Sequence, residues 1–207
     1  DTTGAVRYDP ATHRFWVGYG SGALAEVDAQ TGKQLANVKL EAQPEAFQLE
    51  SKGKRIFVNV PNAGHIAIVD REQHAVIAKW ELRDAAANVP LALDETNHRL
   101  FVGCRQPAKL LIMDSETGAT FARMAIPADT DDVFYDAAGK RVYVVGGEGF
   151  LTLIAQDDAD HYSHLARQNT APGARTALFS PETRQLYIGA PARDSKAASI
   201  LIFDWGR

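Results

Sequence analysis

Three short strings recur five times each in a fixed order, and they leave few folds open to the chain. VRYD (6–9), FQLE (47–50), LALD (91–94), VFYD (133–136) and ALFS (177–180) begin 41, 44, 42 and 44 residues apart. RFWVG (14–18), RIFVN (55–59), RLFVG (99–103), RVYVV (141–145) and QLYIG (185–189) follow at nearly the same step. LAEVD, IAIVD, LLIMD, TLIAQ and ILIFD complete the unit and end at Asp28, Asp70, Asp114, Gln156 and Asp204. Each string is rich in the β-branched and aromatic residues that suit short strands. A period of roughly 40 to 50 residues built from such strands predicts a β-propeller with one four-stranded blade per repeat.

The second unit shows how a blade is specified. FQLE is followed by the turn SKGK and by RIFVNV, which predicts a hairpin. PNAGH reverses the chain into IAIVD, whose continuous apolar character suits a strand covered on both faces. REQH turns again, and AVIAKWEL alternates as an outer strand should. DAQTGK (28–33) and DSETGA (114–119) supply the polar pair and the Gly that a tight turn needs.

The expected fold class is therefore all-β, a single β-propeller domain over 1–207 with five repeats of about 43 residues, at 4–44, 45–87, 88–130, 131–174 and 175–207. Four blades should have four strands and the last three, since IFDWGR supplies no fourth strand. The chain is accordingly expected to be the C-terminal part of a larger propeller.

Composition bounds the function classes. A formal charge of −4 and a pI near 5.9 exclude a general electrostatic attraction to nucleic acid or to anionic membranes. No apolar run reaches the roughly 20 residues that span a bilayer. Cys104 stands alone, without a CxxC, and reads as a small buried hydrophobe.

The strand openings HRLFVG (98–103) and KRVYVV (140–145), with VDAQTGKQL (27–35) and MDSETGATF (113–121), resemble the YVTN-repeat β-propellers, also described as YncE-like or surface-layer-type propellers of bacteria and archaea. The resemblance covers essentially the whole chain and implies seven blades in the complete fold, two of them upstream of Asp1. It also implies export to the periplasm or cell surface. The fourth unit departs from the pattern, with QDDADHYSH where the others carry VD-xx-TGK. Its two histidines are expected on opposite faces of a strand, unsuited to ligating one metal.

Function on a propeller gathers where loops converge at one end of the blades. Residues just before the inner strands include Glu45, Asn88, Asp131 and Asp132, hard oxygen donors of the kind Ca²⁺ or another divalent ion accepts. Gluconolactonase-like propellers place Glu, Asn and Asp around a metal in a similar way. The DTDD run (129–132) concentrates negative charge, and an Asp132–Arg175 pair would neutralise part of it without a metal.

Loops between second and third strands should open on the same end. There His65, Arg105, Lys109, Glu148 and Arg193, with Arg175, are the candidate ligand-binding residues. GGEG (146–149) resembles a phosphate loop only superficially, since no helix follows it. No nucleophile and base can be assembled from the sequence.

The reading is thus a non-catalytic binding or scaffold propeller without a resident cofactor, presenting a loop face to a protein partner or a small anionic ligand. The enzyme alternative is a metal-dependent, lactonase-like hydrolase or lyase. Single-stranded nucleic-acid binding, which the family resemblance suggests, would need exposed aromatics beside basic residues, with Trp16, Tyr19 and Arg105 as candidates, and is not favoured.

Overall fold

Alternating and continuous apolar runs become strands wherever the repeat places them, as a computed structural model describing residues 3–205 shows. The chain divides into two compact units, Asp1–Leu91 and Ala92–Arg207, with the boundary inside one strand. The first unit holds β1 (Thr3–Asp9), β2 (Arg14–Tyr19), β3 (Ala23–Asp28) and β4 (Gln34–Lys39), hydrogen-bonded in that order as one sheet. It continues with β5 (Phe47–Leu49), β6 (Arg55–Val60), β7 (His65–Asp70) and β8 (Ala75–Glu81), a second sheet in sequential order.

The boundary strand β9 (Ala86–Asp94) leads into β10 (Arg99–Gln106), β11 (Ala108–Asp114) and β12 (Thr120–Ala125). A fourth sheet comprises β13 (Thr130–Asp136), β14 (Arg141–Gly146), β15 (Phe150–Gln156) and β16 (Tyr162–Asn169). The last comprises β17 (Ala177–Ser180), β18 (Gln185–Ala190) and β19 (Ser199–Asp204). Five antiparallel sheets of four, four, four, four and three strands make the chain an all-β propeller, as the repeat predicts. No helix among the described residues is long and apolar enough to cross a membrane.

Blades pack face to face within each unit. In the first, Trp16, Leu24 and Val38 meet Phe47, Ile56 and Val58 of the next blade. In the second unit, Phe101 and Ile112 pack with Val142 and Val144, while Tyr143 and Leu153 pack with Phe179, Leu186 and Ile188. The two faces of β14 thus serve two different cores, which explains why RVYVV is apolar at successive positions. A fully buried Phe or Leu in such a core contributes about 1.5 to 3 kcal/mol through burial alone.

The acid that closes the first three of the LAEVD-type strings has a specific local task. Asp28 and Asp114 each accept backbone N–H groups two and three residues on, from Gln30 and Thr31 and from Glu116 and Thr117, which fixes the turn to the outer strand. Asp70 does the same for Glu72 and Gln73.

In the fourth unit this task moves two residues on, to Asp158, which accepts the N–H groups of Asp160 and His161. Gln156 is released to bridge two blades, donating to Asp94 at 2.8 Å and accepting from Tyr135 at 2.6 Å. His161 consequently lies in the turn before β16, where its Nδ1 is 2.9 Å from Asp158. The expected placement of both histidines within one strand is corrected by that displaced turn.

Candidate functional site

In the second unit, the end of a second strand, the start of an inner strand and the segment before the next inner strand supply one charged cluster. Arg105, near the end of β10, donates through Nε to the Thr130 carbonyl at 2.8 Å, and its Nη2 lies 2.5 Å from Asp131 Oδ1 and 3.5 Å from Asp129 Oδ1. Arg175, two residues before β17, donates through Nη1 to Asp129 Oδ2 at 2.6 Å and holds Nε 3.5 Å from Asp131 Oδ2. Asp129 is the main reason the Arg175 pKa rises above its already high ordinary value. Two guanidinium groups and two carboxylates therefore balance, with side-chain exposures from 28% to 46%. Pairs this open contribute at most about 1 kcal/mol each to stability. Folding does not explain why two arginines and two aspartates are gathered here.

The backbone beneath is tightly specified. Asp129 adopts φ 53°, a left-handed conformation that Asp tolerates better than most residues. Gly147 donates its N–H to the Asp129 carbonyl, and a Cβ at Gly147 would collide with the Asp129 carboxylate. A Cβ at Gly146 would come within 2.6 Å of Pro127 and 2.7 Å of the Ala128 carbonyl. The glycines of GGEG are thus close-approach residues that seat the 127–129 segment. Glu148 from the same turn accepts the Ala128 N–H at 2.9 Å. Thr130, fully buried, ties its hydroxyl to the Val145 carbonyl at 3.0 Å.

Asp132 departs from its expected pairing. The register of β13 against β14 shifts between Thr130 and Asp132, and there Arg175 meets Asp129 and Asp131 while Asp132 accepts the backbone N–H of Ala177 at 2.7 Å. That bond joins the start of β13 to the next inner strand. Asp131, a candidate metal ligand, turns both carboxylate oxygens toward guanidinium groups, which a cation would have to displace.

The remaining candidates are distributed. Lys109 lies on β11 opposite Cys104, and Arg193 sits in the exposed loop between β18 and β19, bridged by its backbone to Lys196. In the first unit Glu45 donates its backbone N–H to the Asn59 carbonyl. Asn88 is fully buried; its side-chain nitrogen donates to Asn59 Oδ1 at 2.9 Å and to the His65 carbonyl at 3.1 Å, and its own Oδ1 has no partner among the described residues. Among the described residues no group of three or more His, Cys, Asp or Glu is placed to hold a metal ion.

His65 is not an exposed turn residue. It opens β7 at 1% exposure, with Nδ1 3.6 Å from Glu41. The reading of the sequence missed the role of Asn59, which hydrogen-bonds the Val89 and Pro90 carbonyls and Asn88. Its signal was present: RIFVN carries Asn where three of the other four strings carry Gly.

Blade topology and face-to-face cores define the class, a β-propeller. Comparison with known sequences finds no matching family model. The chain is 23% identical to the uncharacterized protein YncE of Salmonella typhi and 22% identical to YncE of Salmonella typhimurium, each over 91% of this chain and 54% of the relative. It thus spans about half the length of the curated relatives it matches. Among solved structures, hydrazine synthase of Kuenenia stuttgartiensis superposes with a TM-score of 0.75 at 14% identity, over 97% of this chain and 62% of that one, a likeness of fold alone. The chain is YncE-like in sequence and a β-propeller in fold, as its strand and turn motifs imply.

Proposed function

We propose that the chain is a non-catalytic binding propeller, exported as its YncE-like character implies, whose loop end in the second unit engages a protein partner. The observation that carries this reading is the Arg105–Asp131–Asp129–Arg175 cluster. It is half-exposed, charge-balanced, of little use to stability, and held in place by the close-approach glycines and buried Thr130 beneath it. Paired guanidinium and carboxylate groups offer a protein surface both bidentate donors and acceptors. A propeller can present such loops because its stability comes from the cores between blades.

The test uses the wild-type chain and an Arg105→Ala/Arg175→Ala variant as baits in an extract of the source organism, followed by reconstitution with the purified partner. A partner that binds wild type and loses at least about tenfold in affinity to the variant supports the reading. Equal binding of every reconstituted partner to both baits, or no partner for either, overturns it. Calorimetric titration with Ca²⁺ addresses the metal-dependent alternative: saturable binding abolished by Asp131→Asn would favour it.

A further inference from the structure

We propose that the first unit carries a second, separate site: a pocket beside His65 that binds a small organic monoanion with a compact apolar body. The proposal is independent of the loop cluster and stands on a cavity of about 420 Å³ between the outer strand of the first blade and the third and fourth strands of the second. Its lining combines Lys39, Glu41, His65 and Lys79 with the apolar side chains of Leu40 and Val76. A volume of this size lies within the range of small-molecule sites, at the lower end.

The repeat itself does not account for a histidine in this place. Counting back five residues from Asp28, Asp70, Asp114, Gln156 and Asp204, the equivalent positions hold Ala23, His65, Lys109, Leu151 and Ser199. An imidazole at 1% exposure carries a desolvation cost that an aliphatic side chain would avoid, so packing alone gives no reason for it. Its Nδ1 faces Glu41 at 3.6 Å, and Lys79 pairs with the same carboxylate. Lys39 forms no ion pair among the described residues.

The charges select the ligand. Two lysines against one glutamate leave one net positive charge among the lining Lys and Glu side chains, which matches a monoanion. Leu40 and Val76 then receive the apolar body, while Glu41 competes with the ligand for Lys79. Each element predicts a different response, so a structural role for these exposed side chains is distinguishable from binding.

Benzoate is the probe, with neutral benzamide as its isosteric control, followed by the methyl signals of Leu40 and Val76 in NMR titrations of the whole chain. The expected result is saturable shifts with benzoate and none with benzamide. Lys39→Gln should weaken binding about fivefold, and Glu41→Gln, which frees Lys79, should tighten it by a similar factor. Both substitutions are at exposed positions, and unchanged thermal unfolding of each variant is the control for folding. Absence of saturable benzoate shifts, equal shifts with benzamide, or identical affinity in both variants overturns the proposal.

Discussion

At the scale of single residues, burial decides which chemistry-bearing side chains can act. Cys104 is fully buried beside the β10–β11 turn, and desolvation pushes its thiol up to about 12, so almost no thiolate exists at neutral pH. Native protein at pH 8 should be inert to a disulfide reagent such as DTNB and should release one equivalent only after unfolding in guanidinium; rapid reaction of the native chain would show the thiol to be accessible. His161 is the opposite case, fully open to solvent. Hydrogen bonding to Asp158 raises the His161 pKa, and the Asp160 N–H and the His161 ring lower that of Asp158. The His161 contribution is therefore complete below its ordinary pKa of about 6.5 and disappears as pH rises through the raised value. The Asp158 contribution is present above about 3.9 and is lost as pH falls through the depressed one. An NMR titration should place His161 above an ordinary histidine, and Asp158→Ala should return it; an unchanged midpoint in that variant would rule the pairing out.

At the scale of strands and turns, the glycines of GGEG connect sequence to site. Gly146→Ala must push its new methyl against backbone and Pro127, and overpacking of this kind costs about 1 to 3 kcal/mol. Gly147→Ala meets the Asp129 side chain rather than backbone, so its cost to stability should be smaller while the Asp129–Arg175 contact is displaced. Urea denaturation ranks the two variants, and partner affinity should reverse the ranking; equal effects of both in both measurements would contradict this division. The strands themselves were legible from apolar runs, continuous in RIFVNV and IAIVD and alternating in AVIAKWEL: with FQLE they map onto β5 to β8 with only end residues changed. Legibility failed where a contact depends on which side of a strand a residue faces. The DTDD run was visible as a charged loop, yet the register shift of β13 between Thr130 and Asp132, where Asp131 goes to Arg105 and Arg175 and Asp132 to the Ala177 N–H, leaves no mark in the residue pattern. The burial of His65 was hidden because PNAGH reads as an exposed turn, while its last residue already belongs to β7.

At the scale of the whole molecule, each unit joins its successive blades with apolar faces and also with buried acids at the ends of inner strands. In the first unit Asp9 accepts Arg71 Nη1 at 2.7 Å, and Arg71 also donates to the Glu50 carbonyl at 2.8 Å. In the second, Asp136 receives Arg184 at 3.2 Å, and Asp94 receives Gln156. These links end strings that look alike in sequence, VRYD, LALD and VFYD, although their partners come from different positions in the following repeats. The Asp9 side chain is 7% exposed and that of Arg71 14%, so removing one partner strands a desolvated charge. Arg71→Met should destabilise the chain by about 3 kcal/mol, and Asp9→Asn by about 1 kcal/mol, since the amide still accepts the Ala11 N–H. The double variant should cost less than the sum by at least about 1 kcal/mol, because no uncompensated carboxylate remains. Urea denaturation of the four proteins measures the coupling directly. Strict additivity would mean that Arg71 acts only through its bonds to the Glu50 and Gly53 carbonyls, and the blades of the first unit would then be joined by their apolar faces and backbone contacts without an ionic link.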